Sequence, residues 1–333
     1  MKAKYAGTVM ELYNRVAPVA DGGGFWYDLS NGAWEAVRID GDGWQVVAEP
    51  PILFRRYQHQ KPQVQPQTGG DFSKILDFVN VAQDRQLLFM VYVLSCFLPQ
   101  IAHPVGLFTG PQGSAKTTAA SVVRGLVDPS QIATFSYPSQ PRELTQILSH
   151  NWMTLFDNVT SVPGWLSDTL CRACTGAGDS KRQLYTNDDD IIYNFRRCVG
   201  LTSVTSTVEM PDLLDRSLSF ALEPIGPDTR LSEEDLVESL LAAMPALLGG
   251  AFDVLSTAIT IKPEVSLAEL PRMADFALWG VAIARALGYT EQEFLDAYEA
   301  DIRDRNQDAV AAHPVGSVIK AMMAKDKKWR GTA

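Results

Sequence analysis

Nine consecutive residues carry the most specific chemistry in the chain: Gly110, Pro111, Gln112, Gly113, Ser114, Ala115, Lys116, Thr117 and Thr118. They follow a short apolar run, 105–109, and open a helical pattern over 114–126. That is the context in which G-x-x-x-x-G-K-[ST] acts on phosphate. Backbone N–H groups at a helix N-terminus lack intrahelical partners and sit at the positive end of the dipole, so they bind anions. In this reading Lys116 reaches the β and γ phosphates of ATP, and the Thr117 hydroxyl coordinates Mg²⁺. One position departs from the pattern, because Ala115 stands where a glycine precedes the lysine. A methyl group is tolerated there if the residue already has helical backbone angles, so the expectation is a helical Ala115, with Gly113 making the tight approach.

Phosphate chemistry through Mg²⁺ also needs an acid at the end of a neighbouring strand. The apolar run 152–156 ends in Asp157, 41 residues after Lys116. Asp157 is the candidate for holding Mg²⁺ through water. The next residue is Asn158, where a base that orients and deprotonates water is often found. Asparagine can hold a water but cannot take its proton. Either a carboxylate elsewhere helps, or hydrolysis is slow.

The elements that must position these groups are legible in outline. Residues 25–28, 34–39 and 44–47 alternate and are separated by Asn-Gly and Asp-Gly turn signals, which reads as a small β module. Residues 58–70 are rich in Gln, Pro and Gly, a linker composition. A helical pattern over about 73–98 follows. Strand and helix patterns then alternate: 105–109, 114–126, 131–137, 142–150, 152–156, 164–174, 198–203 and 217–222. That alternation implies a parallel sheet covered by helices. Residues 182–186 and 191–195 flank the polar turn 187–190 and read as a hairpin. From about 231 the pattern is helical, near 233–248, 251–260, 267–287, 290–305 and 314–325.

The chain has 333 residues, 46% apolar and 20% charged, which fits an ordinary globular protein of about two domains. Its 29 basic and 39 acidic residues give a net charge of −10. That excludes a protein that coats nucleic acid through overall charge, so any DNA contact must be a local basic patch. Cys96, Cys171, Cys174 and Cys198 have apolar surroundings, as expected in a reducing cytosol. Cys171 and Cys174 form a C-x-x-C without a second pair at zinc-ligand spacing. The four histidines, at 59, 103, 150 and 313, are scattered. The N-terminus has no apolar leader, and the apolar run 87–98 is too short to span a bilayer. A cytoplasmic protein without a membrane partner is expected.

On residues 110–117, 152–158, 166–178, 180–186, 201–203, 211–216 and 271–276, the chain resembles AAA+ ATPases. Within them it is similar to superfamily III helicase-like proteins of viruses and mobile elements, and to bacterial and phage proteins related to primase–helicase C-terminal domains. The resemblance covers about 25–325. It implies an α/β fold: an AAA+ P-loop core with a parallel sheet and an inserted β-hairpin, a small N-terminal β module and a C-terminal α-helical lid. The expected units are a β module over 1–57, a linker over 58–72, the ATPase core over 73–225, the lid over 226–312 and a last helix in 313–333.

The resemblance also implies a homo-oligomer, most simply a hexameric ring, with ATP between subunits. Arg216 matches the arginine finger that reaches a neighbour's γ-phosphate, the alternative being a surface arginine paired with Asp212 or Asp215. Thr202 or Ser203 stands where the family has its sensor 1 residue, although the asparagine usual there is missing. Arg272 matches a sensor 2 residue or forms a structural salt bridge. Lys181 and Arg182 match the basic start of a hairpin that grips single-stranded DNA, yet the acidic tip, Asp188 to Asp190, would repel it. A winged-helix-like domain follows 313–333 in the resembling proteins, so the chain is expected to be truncated or completed by a separate gene. The function implied is a helicase-like ring motor in replication of a phage or mobile element, with a primase or other replication proteins as partners. A nucleotide-gated scaffold that hydrolyses ATP weakly is the alternative, and a small-molecule phosphotransferase the remote third.

Overall fold

Alternating apolar residues bounded by glycine turns build the first sheet. The structure, a computed structural model, describes residues 11–20, 22–176, 179–182, 190–193, 196–204, 208, 210–226, 232–312, 316 and 322. Strands β1 (Leu12–Tyr13) and β6 (Leu53–Phe54) pair in parallel. Strands β2 (Val16–Pro18), β3 (Gly24–Asp28), β4 (Ala36–Asp40) and β5 (Gly43–Val47) form an antiparallel sheet in that order. Phe25, Tyr27, Val37 and Ile39 face the main core, while Trp26 and Ala36 face a small cluster with Phe54. Period-two alternation puts them on opposite sides of the pleat.

This sheet is tied to the rest of the chain by charge. Arg15 is fully buried; its Nε donates to Asp128 Oδ1 at 2.9 Å, and its other nitrogens donate to the carbonyls of Asp28, Lys61 and Pro129. Asp128 Oδ2 in turn accepts the N–H groups of Trp152 and Met153. Removing one partner would leave an uncompensated buried charge, which costs about 3–5 kcal/mol.

Residues 58–70 are an ordered strap, contrary to their linker composition. Gln63 is buried and donates to Tyr27 Oη and the carbonyls of Gly125 and Leu126. The strap's backbone bonds to Leu29, Pro129 and Pro245. Gln63 thus serves as a buried donor to the carbonyls of 125 and 126, a role that composition cannot reveal.

Short 3-10 turns, Phe72–Phe78 and Gln83–Arg85, lead into α1 (Gln86–Ser95), where one long helix was expected. Next come β7 (Val105–Thr109), α2 (Lys116–Val127), α3 (Pro141–His150), β8 (Met153–Phe156) and α4 (Gly164–Thr175). They are followed by β9 (Asp179–Arg182), β10 (Asp190–Tyr193), β11 (Cys198–Ser203), α5 (Pro211–Leu214) and β12 (Ser217–Ala221). The chain is therefore α/β, with a parallel sheet in the order β12-β7-β11-β8. Val105, Leu107, Phe156, Val199 and Leu201 pack on one face with residues of α3, α4 and α5. Phe108, Met153, Leu155 and Cys198 pack on the other with α1 and α2. Strands buried on both faces explain the uninterrupted apolar runs in the sequence.

Three further elements differ from the sequence reading. Residues 131–137 contribute one parallel bridge, Phe135 to Phe156, and no full strand. The hairpin pairs Arg182 with Asp190 and Asp179 with Tyr193, so Asp190, expected in the turn, belongs to a strand, and pairing already begins at Asp179, before the expected start at 182. Residues 183–189 lie outside the described set. Beyond them, α6 (Glu233–Ile261) is continuous through Pro245 instead of breaking near 249. Proline removes one helical N–H, but the carbonyl it leaves belongs to the exposed Leu241, which water can serve. Two further helices, α7 (Ala274–Ala286) and α8 (Glu291–Ala312), complete the fold. The helix expected over 314–325 falls outside the described residues, apart from 316 and 322. By length and composition α6 could cross a membrane, but half of its apolar window is buried inside the protein, as in a core helix.

His103 is fully buried against Trp152, its ring edge-on at 5.5 Å, and neither ring nitrogen has a well-formed hydrogen bond among the described residues. Burial, with Arg196 and Arg197 nearby, pushes its pKa down to about 3. Between pH about 6.5 and 3 the unfolded chain binds a proton that the folded chain refuses, so stability present above that window is lost as pH falls through it. The loss from this one residue is on the order of 5 kcal/mol. His103→Phe keeps the ring contact and should flatten the acid limb of a urea-midpoint profile between pH 6.5 and 4. An unchanged limb would assign acid unfolding to other groups.

Candidate functional site

Parallel strands end together, and three of these ends carry the candidate residues. Phe108 of β7 pairs with Thr202 of β11, and Leu201 of β11 pairs with Phe156 of β8. The loop after β7, Asp157 after β8 and Thr202 at the end of β11 therefore meet at one edge of the sheet. Thr117 Oγ1 lies 3.0 and 3.2 Å from the two Asp157 carboxylate oxygens. The buried Thr202 hydroxyl donates to Asp157 Oδ1 and accepts the Asn158 N–H at 2.9 Å. Asp157 is held from its other side as well, its N–H donating to the Phe135 carbonyl at 2.9 Å. Ser203 is buried beside Thr109 in the same register.

The loop itself is a cradle. A Cβ on Gly110 would stand 2.6 Å from the Leu222 carbonyl oxygen and 2.6 Å from Ser114 Oγ. Gly113 has φ +80°. Ser114 is fully buried and its hydroxyl donates to the Pro111 carbonyl at 2.9 Å. Lys116 Nζ donates to the carbonyls of Gly110 and Pro111, both at 2.8 Å, so the ammonium lies over the loop. Pro111, Gln112 and Thr117 are exposed, and Thr118 is half-buried on the first turn of α2. A close-approach backbone, a helix N-terminus and a lysine suit an oxyanion such as phosphate. The Thr117 hydroxyl and the Asp157 carboxylate form an oxygen pair of the kind a hard divalent cation takes.

Ala115 corrects the sequence reading. Its φ and ψ are 55° and 37°, left-handed, and α2 begins one residue later, at Lys116. The position thus demands what glycine gives freely, and alanine bears about 1–2 kcal/mol of strain there. Asn158, at φ 53°, is a second left-handed residue in this site, a conformation that asparagine tolerates. Its side chain is exposed and free to meet solvent at the edge of the cradle.

Arg216 lies at the other end of the sheet. Its carbonyl accepts the Val105 N–H, at the start of β7, whereas the phosphate loop follows the end of β7. A five-residue strand spans about 17 Å, so Arg216 is out of reach of its own chain's Lys116 loop. Arg216 Nη1 contacts Asp212 Oδ1 at 2.5 Å and the Asp212 carbonyl at 2.8 Å, with Cys171 Sγ at 3.8 Å. Arg272 joins the same cluster, bonded to Asp212 and 3.8 Å from Asp215. Arg272 is thus found in the structural salt bridge that the sequence left as its alternative role. Burial opposes the Arg216 charge, but Asp212 outweighs it and holds the pKa up. The hydrogen bond from Arg216, and the charges of Arg216 and Arg272, hold the Asp212 carboxyl below its usual value against a small burial effect. Burial and Asp212 push the Cys171 thiol up to about 11, so it is not a reactive thiolate.

The other candidates stay apart. In the hairpin, Lys181 pairs with Ile191 and Arg182 with Asp190 through the backbone; their side chains lie outside the described set. Cys171 and Cys174 are buried and free, and no metal-holding group of His, Cys, Asp or Glu occurs among the described residues. Sequence reasoning missed one assembly. Tyr57 stacks on His150 at 4.3 Å and on His59 at 5.7 Å, beside a cavity of about 240 Å³ lined by Ile132, Phe135 and Glu143. Nothing in the spacing of residues 57, 59 and 150 signals that contact.

A family model described as "Actinomycete integrative conjugative element replication protein" matches residues 72–308. No curated protein matches the chain. Among solved structures, the chain is similar to "SCCmec type IV Cch - active helicase" at 14% identity and TM-score 0.48, covering 95% of this chain and 64% of that one. It is also similar to the apo NrS-1 C-terminal region (305-718) at 10% identity and TM-score 0.43, covering 81% and 70%. For an inhibitor-bound JCV helicase the values are 14% and 0.34, covering 66% and 65%. The chain thus spans under two thirds of the length of the first of these, and the likenesses are distant.

Proposed function

Since the chain belongs to the family of actinomycete integrative conjugative element replication proteins, we propose that it is a MgATP-hydrolysing AAA+ ATPase, a helicase-like ring motor acting on single-stranded DNA. The observation that carries the reading is the convergence of Thr117, Asp157 and Thr202 beside the Lys116 loop, with Arg216 about 17 Å away at the opposite edge. The parts of one ATPase centre are thereby divided between two faces of one chain, which suits a closed ring of identical subunits in head-to-tail contact. A hexamer is the ring we adopt.

MgATP supplies the transferable phosphoryl group and a cation that neutralises its charge. The chain's residues do the rest. The loop N–H groups of 110–115, other than at Pro111, and the Lys116 ammonium bind and orient the β and γ phosphates. Thr117 and Asp157 hold Mg²⁺, and Thr202 fixes the Asp157 carboxylate. Asn158 orients water at the exposed rim. Arg216 enters the neighbouring subunit's site, where it offsets charge that grows in the transition state. Lys181 and Arg182 contact DNA phosphates from the inserted hairpin, and the helices of 226–312 act as the lid. Of phage and mobile element, the family supports the mobile element as the setting, with the cytoplasm as the compartment and a primase or another replication protein as the partner.

One observation favours a second reading. Asn158 cannot accept a proton, and a slow ATPase that uses nucleotide to gate assembly needs no fast base. Steady-state hydrolysis with and without single-stranded DNA separates the two, with Lys116→Ala as the blank. The motor reading expects stimulation of about ten-fold or more. Slow turnover indifferent to DNA would replace it with the nucleotide-gated scaffold.

A further inference from the structure

The finger end of the sheet holds more than one arginine. Asp212, in the first turn of α5, receives Arg216 from the start of β12 and Arg272 from just before α7. Its side chain is 56% exposed, as is nearly half of Arg272, whereas the Arg216 side chain is only 17% exposed. Arg216 is therefore folded down, its Nη1 taken by the Asp212 carboxylate and carbonyl. The base of this arrangement is rigid: α8 grips α5 and β12 through Arg305, which donates to the Leu214 carbonyl, and through the buried Asp301, which accepts the Ser219 N–H. What can move is the arginine side chain and its partner, not the segment that carries them. Two exposed apolar residues, Met210 and Leu270, flank the cluster.

We propose that Asp212 is a latch that parks Arg216 away from the neighbouring subunit, and that Arg272 is the cation that takes over Asp212 when Arg216 swings out to the neighbour's phosphate. The proposal rests on the finger reading of Arg216. A guanidinium leaving a carboxylate normally strands a negative charge beside an incoming anion. Here Arg272 already touches the same oxygen, so Asp212 stays neutralised after Arg216 departs. Exposed ion pairs are weak, so the latch tunes engagement without blocking it, by about two- to five-fold. Both Asp212 and Arg272 are positioning residues that act through Arg216.

The test is a double-mutant cycle read as ATP turnover against protein concentration, so that subunit engagement limits the rate at the low end. Asp212→Asn should lower the half-maximal protein concentration about two- to five-fold and leave the plateau unchanged. Arg272→Gln should raise it by a similar factor, because Asp212 then holds Arg216 alone. In the double variant the Arg272→Gln effect should vanish, since its target is gone. Additive effects would overturn the proposal and make Arg272 an independent phosphate contact. A lowered plateau or an unchanged midpoint in Asp212→Asn would also overturn it. If Asp212→Asn does not fold, Arg272→Gln alone decides: an unchanged or lowered midpoint sinks the latch. Full turnover in Arg216→Ala, run alongside, would sink the finger reading itself, a failure distinguishable from that of the latch.

Discussion

Lys116→Ala should lower ATP turnover by about a thousand-fold or more while the protein stays folded. Among the described residues the side chain bonds only to the carbonyls of Gly110 and Pro111 at the rim of the loop, so its loss removes about 1 kcal/mol of net hydrogen bonding. Its role toward a bound nucleotide is much larger. A preorganised cation stabilises charge on the transferring phosphate, and removing a single preorganised donor costs 10²–10³-fold or about 2.7–4 kcal/mol. Lys116→Arg should fare little better, because a planar fork is wider than an ammonium on a flexible stem. The measurements are steady-state hydrolysis, urea unfolding and binding of a fluorescent ATP analogue. Normal turnover in a folded Lys116→Ala would remove the site from 110–118 altogether.

How much of this was legible in the sequence depends on how local each signal is. The loop residues were found because a strand end, a glycine cradle and a helix start lie within a dozen residues of one another, and Asp157 because it ends the short apolar run 152–156. The partners of Asp157 were legible only through the resemblance, since no spacing rule joins Thr202 to Asp157 across 45 residues. Arg216 and Arg272 could not be sorted at all. Which end of the sheet they occupy follows from strand order and direction, and β12 beside β7 is a tertiary fact. The start of α2 was misjudged by two residues, because Ser114 reads as a good helix cap while its hydroxyl is spent on Pro111. That small slip hid the left-handed Ala115. The strap 58–70 was misread for a related reason, since Gln63 and its neighbours look solvated until the carbonyls they satisfy are in view.

Arg216→Ala should cut turnover by about a thousand-fold or more and leave ATP affinity within a few-fold of normal. The reason is position: the arginine cannot reach the loop of its own chain, so it contributes nothing to binding there. An arginine finger acts on charge that appears only in the transition state, and such residues are worth 10³–10⁵ in rate. Loss of nucleotide affinity in this variant would contradict the finger and put Arg216 in a structural role beside Cys171. The stronger form of the prediction uses two inactive variants together. A subunit with Arg216→Ala still has an intact Lys116 loop, and one with Lys116→Ala still has an intact finger. Mixed at equal amounts in a head-to-tail ring, about one quarter of the interfaces would join an intact loop to an intact finger. Turnover should then return to about a quarter of normal, provided that subunits exchange and interfaces act independently. Activity absent from the mixture under conditions where subunits demonstrably exchange would mean that the two residues do not share a site across the interface. Recovery would establish that they do, with no need to see the ring.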